Sequence, residues 1–274
     1  TFLTIEESMD TMPILGYLGA LSVGIILGLM GGGGSIITIP ILTYFFYMSP
    51  VTTTAYSLFI VGTSALIGSI NNLKKGYIMY RIAIVFAIPS MIYVYIVRKY
   101  LLPIIPIEIV NIQGFILTKD RSIMVFFAIV MLLASISMIK KRKKYPKTLI
   151  SNNYNYIAIL LAGLGIGFLT GIVGIGGGFI IIPTLVVLVK LPMKRAIATS
   201  LAIIAIKSLI GFIGDLANIY IDWEFLLQFT FISILGIFLG NYFLSFINEK
   251  KLKKYFGWMI LFVSFGILYK ELFF

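Results

Sequence analysis

Gly28-Leu-Met-Gly-Gly-Gly-Gly-Ser-Ile-Ile-Thr-Ile-Pro-Ile-Leu42 decides the fold, because the chain carries the pattern again as Gly171-Ile-Val-Gly-Ile-Gly-Gly-Gly-Phe-Ile-Ile-Ile-Pro-Thr-Leu185. At a constant offset of 143 residues the two stretches agree at eight of fifteen positions: Gly28/Gly171, Gly31/Gly174, Gly33/Gly176, Gly34/Gly177, Ile37/Ile180, Ile39/Ile182, Pro40/Pro183 and Leu42/Leu185. The chain therefore reads as two copies of one unit. In a membrane, glycine and proline interruptions at matching points of two halves point to a transport site.

The surrounding sequence is that of a membrane protein. Mean hydropathy is +1.06, 60% of residues are hydrophobic and only 12% are charged, against roughly 25% charged in a soluble domain. Stretches 14–30, 51–70, 78–97, 122–139 and 225–247 approach or exceed the ~18–20 apolar residues that cross the hydrocarbon. They are apolar on every side, which implies helices and not the alternating strands of a barrel. The expected fold is all-α: a polytopic helical membrane protein of two inverted repeats, with short or broken helices at the glycine-rich loops.

Each half divides into five apolar segments: 13–30, 35–48, 51–70, 78–97 and 122–139, then 155–173, 178–190, 196–214, 223–247 and 255–272. An odd number per half makes the second half enter the membrane from the opposite side. The resulting organisation is an outer tail at 1–12, a first repeat at 13–139, a basic cytoplasmic linker at 140–154 and an inverted repeat at 155–274.

Charge supports this count. With the N-terminus outside, sixteen of the 22 Lys and Arg residues fall in inner loops, five (Arg98, Lys99, Lys119, Arg121, Lys270) fall outside, and Lys207 lies within a span. That is the positive-inside bias, and it places both termini outside a cell membrane. The net charge of +12 is thus a topological signal, and no nucleic-acid partner is expected.

The absence of Cys and His excludes a disulfide framework, a thiolate or imidazole metal site, a Cys or His nucleophile and a histidine proton relay. No phosphate-binding Gly-x-x-x-x-Gly-Lys-Ser/Thr and no pair of span-centre carboxylates is present. An enzyme is not expected, nor is any cofactor or metal. No visible stretch reads as a cleavable signal.

The glycine segments suit an anion. A 14-residue segment rises about 21 Å as a helix, short of a hydrocarbon core of roughly 30 Å. Pro40 and Pro183 should push Ile39 and Ile182 out of helical geometry. The expectation is a helix ending near Gly28 or Gly171, an intramembrane loop, and a second helix starting between Ser35 and Pro40 or between Gly178 and Pro183. Non-helical backbone at that depth is tolerated where it is buried in protein or lines a cavity, so a solvated or ligand-filled site is implied. Free N–H groups at a helix start favour negative charge, and glycine lets a ligand approach closely. Gly32, Gly33, Gly34 and Ser35, with Gly176, Gly177 and Gly178, are the candidate substrate-binding backbone.

The same offset pairs Ala55-Tyr-Ser-Leu58 with Ala198-Thr-Ser-Leu201. Ser57, Thr199 and Ser200 become candidate ligand contacts, although a membrane serine also bonds its own helix carbonyl. Lys207 stands near the middle of the 196–214 span, where Ser64 is its first-half equivalent. An ionisable group there is a functional candidate by default, and snorkelling would have to cover roughly 10 Å or more at ~1.5 Å per residue. It is read as an ammonium facing the cavity and pairing with an anion, with Asp215 as its alternative partner. Asp215 and Asn72 are equivalent by the offset and read as loop caps.

On Gly31–Gly34, Gly174–Gly178, Pro40, Pro183 and the two Ala-x-Ser-Leu pairs, the chain resembles the sulfite exporter TauE/SafE family, also called the four-toluene sulfonate uptake permease family. The resemblance covers nearly the whole chain. Tyr56 departs from the small residue of the second-half motif. The resemblance implies a transporter of small sulfur-containing anions such as sulfite, thiosulfate, sulfoacetate or another sulfonate. The expected function is a secondary transporter working by alternating access in the lipid bilayer, with a proton or sodium ion as candidate coupling ion and a homo-oligomer left open. The alternative is an anion channel, or a permease for a non-sulfur small organic anion.

Overall fold

The computed structural model describes residues 3–112, 115–139, 154–244 and 249–273. The first half comprises α1 (Leu3–Met30), α2 (Gly34–Tyr44), α3 (Pro50–Lys74), α4 (Tyr80–Ile96) and α6 (Lys119–Ile139). A π-helical turn, Val97–Leu101, and the short α5 (Leu102–Ile104) continue α4. The second half comprises α7 (Tyr156–Val173), α8 (Gly178–Leu188), α9 (Met193–Asp215), α10 (Trp223–Leu244) and α11 (Glu249–Phe273). Five described helices are long and apolar enough to span a bilayer: Pro50–Lys74, Tyr80–Ile104, Tyr156–Val173, Lys194–Asp215 and Trp223–Phe243. The basic linker at 140–154 lies outside the described residues apart from Tyr154.

The offset survives as geometry. Met30 and Val173 end α1 and α7, Pro50 and Met193 begin α3 and α9, and Tyr80 and Trp223 begin α4 and α10, each pair 143 residues apart. Packing repeats at the same interval. Gly24 abuts Ser233 and Gly28 abuts Ile237 where α1 lies along α10, while Gly167 abuts Ser90 and Gly171 abuts Val94 where α7 lies along α4. Lipid gives helices no hydrophobic reason to associate, so close backbone approach through small residues supplies the contact energy. Gly28 and Gly171, expected near helix ends, lie two residues before the ends of α1 and α7 and form part of these two seams.

α3 and α9 cross at the centre in opposite directions: Gly62 meets Leu209, Gly68 meets Leu201, and Gly211 meets Leu58. α2 folds back along α1, with Gly19 against Ile41 and Gly34 against Val23 and Leu27. At 11 residues, α2 and α8 rise about 16 Å, half a membrane. Lipid-type faces remain on the outside, where Ile84, Ile88 and Ile92 of α4 and Phe231, Leu235 and Phe238 of α10 are exposed.

One expectation needs correction. Pro40 and Pro183 lie inside α2 and α8, so Ile39 and Ile182 are helical. Each proline removes one backbone bond, but abandoning the helix in an apolar setting would strand several more polar groups. Within the stretch 1–12, α1 begins at Leu3. The loop before α6, for which the sequence set no expectation, contains an antiparallel hairpin of β1 (Glu108–Ile112) and β2 (Phe115–Thr118), rich in the β-branched and aromatic residues that favour extended chain.

The glycine seams yield a direct check. A Cβ at Gly24 would strike the Ser233 carbonyl and one at Gly167 the backbone of Ser90, whereas one at Gly266 meets nothing within 4 Å. Gly24→Ala and Gly167→Ala are each expected to cost about 1–3 kcal/mol. Gly266→Ala should be neutral or stabilise by up to about 1 kcal/mol. Thermal unfolding of the three variants in detergent reads the difference.

Candidate functional site

α1 and α7 each end on a glycine in the left-handed region, Gly31 at φ 66° and Gly174 at φ 69°. Their N–H groups close the helices onto Leu27 O at 2.7 Å and Thr170 O at 2.9 Å. α2 and α8 then start from Gly33 and Gly177 with no side chain capping either N-terminus, so their first amides have no intrahelical acceptor. Each turn rests on the third helix of the opposite half: Gly31 on Ile197, Gly174 on Thr54. These are again equivalent positions. The two turns also touch one another, because a Cβ on Gly32 would fall on Gly178 Cα and a Cβ on Gly178 would fall on Gly32 Cα. The two glycine loops thus meet backbone to backbone.

Lys207 reaches this junction from α9. Its Nζ donates to Thr170 Oγ1 at 2.7 Å and lies 2.8 Å from where a Cβ on Gly177 would stand. It is 0% exposed. Among the described residues, no carboxylate lies within salt-bridge distance of it. Gly176 lies between Val61 and Ile204, near Ser208. The hydroxyls of Ser35, Ser57 and Ser208 are buried without a hydrogen-bond partner, which is costly for a polar group. Gly32, Gly33, Gly34, Ser35, Gly176, Gly177, Gly178 and Lys207 therefore belong to one buried region.

The second motif divides. Ser200 Oγ lies 3.1 Å from Gly31 O and 2.9 Å from Ile197 O in its own helix, so it ties the first-half turn to α9. Thr199 Oγ1 accepts from Met79 N at 3.1 Å and holds the start of α4. Tyr56 OH accepts from Asp222 N at 2.7 Å, which explains the large residue at that position: it pins the loop before α10.

Arg98 is the functional candidate that the charge count missed. Counted as an outer-loop residue, it lies in the π-helical turn, 0% exposed, with Nη1 3.4 Å from Asp215 Oδ2 and 3.0 Å from Thr54 Oγ1. Asp215 is therefore the partner of Arg98 and not of Lys207. π-turns inside helices frequently mark functional sites. The available signal was the apolar run Tyr100–Ile105, which continues the helix past Arg98 and Lys99.

At the point of contact Gly32 and Gly178 leave no room for a side chain. A cleft of about 440 Å³ lies at the ends of α2 and α11, beside Tyr44, Asp120, Arg121, Lys270 and Glu271. There Tyr44 donates to Glu271 at 3.1 Å and Lys270 Nζ lies 3.9 Å from the Tyr44 ring centroid.

The family model for the sulfite exporter TauE/SafE matches residues 16–267. The chain belongs to the sulfite exporter TauE/SafE family. Among relatives of this TauE/SafE protein is a probable membrane transporter protein of Xylella fastidiosa, 24% identical over 91% of this chain and 92% of that one. Another, from Methanocaldococcus jannaschii, is 30% identical over 77% and 74%. A third, from Bacillus subtilis, is 26% identical over 86% and 88%. No solved structure matches the chain. As a TauE/SafE member it is an integral membrane transporter.

The buried ion pair predicts a non-additive cycle. Asp215→Ala leaves an uncompensated buried cation and should cost about 3–5 kcal/mol, while Arg98→Met with Asp215→Leu should recover most of that loss. Thermal unfolding of the single and double variants measures it.

Proposed function

We propose that the protein is a secondary transporter of small sulfur-containing anions, of the class of sulfite, thiosulfate, sulfoacetate or another sulfonate, working by alternating access. Lys207, buried over Gly177 without a carboxylate partner, is the observation that carries this reading. A buried ammonium held only by a hydroxyl costs free energy that an anion would recover. The uncapped starts of α2 and α8 direct further partial positive charge toward the same junction, and Ser35 and Ser208 add unpartnered hydroxyls.

The transport cycle follows from two inverted halves. The opposite directions of α3 and α9, which are equivalent by the offset, support inversion. Each glycine turn leans on the other half, so rocking of one half opens the junction to one side and keeps it closed to the other. Both termini then face outward across the cell membrane, in keeping with the inner basic clusters. A proton or sodium ion is the coupling partner to be tested, and subunit association is a further open variable.

Uptake of labelled thiosulfate and sulfite into proteoliposomes tests the reading. Saturable flux with counterflow is expected in the wild type, and Lys207→Met should lower it at least tenfold. Non-saturating flux without counterflow would mark a channel. Full activity in Lys207→Met would remove the lysine from the site.

A further inference from the structure

Arg98 carries more donors than its partners use. A guanidinium presents five N–H groups in a fixed planar fork. Here Nη1 faces Asp215 Oδ2 at 3.4 Å and donates to Thr54 Oγ1 at 3.0 Å, while Nε and Nη2 are buried and have no hydrogen-bond partner. Those two nitrogens form one edge of the guanidinium, with parallel N–H groups. That edge binds two oxygens of a carboxylate, phosphate or similar oxyanion side by side.

This unpartnered edge lies at the second glycine turn. A Cβ on Gly174 would fall on Arg98 Nη2, so only a bare backbone lets the guanidinium come this close. Asp215 Oδ2, which also lacks a hydrogen bond, contributes charge from the Nη1 side and leaves the edge untouched. A buried cation whose carboxylate partner sits on the wrong side to fill its bidentate edge is poorly matched as a purely structural ion pair.

The geometry points to the Nε/Nη2 edge of Arg98, against the Gly174 turn, as an oxyanion-binding subsite. It accepts the oxygens of a sulfonate, sulfite or thiosulfate group when the turn withdraws, while Thr54 and Asp215 hold the guanidinium plane in place. The subsite is distinct from Lys207, which reaches Gly177 at the other end of the same turn and acts as a point charge. The inference rests on the anion-transporter reading and assigns to it the residue that distinguishes oxyanions from halides.

Equilibrium binding in detergent, by titration calorimetry with sulfite, thiosulfate, sulfoacetate and chloride, tests it. Arg98→Lys keeps the charge and loses the edge. It should weaken oxyanion binding at least tenfold and leave any chloride affinity unchanged. Arg98→Met with Asp215→Leu, which removes the pair together, provides a second folded variant and should likewise lose oxyanion binding. Wild-type oxyanion affinity in either variant would overturn the subsite and leave the transporter reading standing. No oxyanion binding by the wild type would overturn that reading, and the subsite with it.

Discussion

Gly32 and Gly178 meet through bare backbone, and the arrangement of the junction depends on that contact. No side chain fits between them, so the tips of two helical hairpins can touch only because both are glycine. Once they touch, α2 and α8 must begin there, uncapped, in the protein interior. The left-handed turns at Gly31 and Gly174 reverse the chain within a few residues and make the meeting sterically possible. Helix starts that would be satisfied by water in a soluble protein are held away from it.

The scaffold that holds this junction is symmetric, and its charge is not. Gly24 with Ser233 and Gly167 with Ser90 are the same contact repeated at the 143-residue offset, as are Gly31 with Ile197 and Gly174 with Thr54. At the charged positions the repeat breaks. Lys207 corresponds to Ser64, Asp215 to Asn72, and Arg98 to Asn241. All three charges gather around the Gly174–Gly177 turn, whereas the Gly31 turn is held by the neutral Ser200. A duplicated backbone thus provides two equivalent turns, and the charged groups gather at one of them.

Much of the architecture was legible because membranes impose simple rules. Apolar runs matched helices closely: 51–70 became Pro50–Lys74 and 178–190 became Gly178–Leu188. Lys207 was visible because a lone charge in an apolar run has few structural explanations. Arg98 was hidden beside Lys99 at the apparent end of a span, where a basic pair looks like a loop. The Gly32 to Gly178 contact was hidden for another reason: it joins positions that are not equivalent by the repeat, so no offset in the sequence reveals it. Ser200 and Thr199 share a motif yet bond on different sides of α9, which side-chain direction decides and one-dimensional spacing does not.

The placement of the glycine junction on the transport path can be tested cleanly, because the chain has no cysteine. A single Ser35→Cys substitution places a thiol at the fully buried start of α2. The decisive measurement is its labelling in membranes by a small, impermeant sulfonate-bearing thiol reagent, with and without thiosulfate or sulfite. The account predicts labelling from the aqueous phase that the transported anion slows. A thiol that reacts from neither side while the protein transports, or that reacts at a rate indifferent to every transported anion, would contradict it.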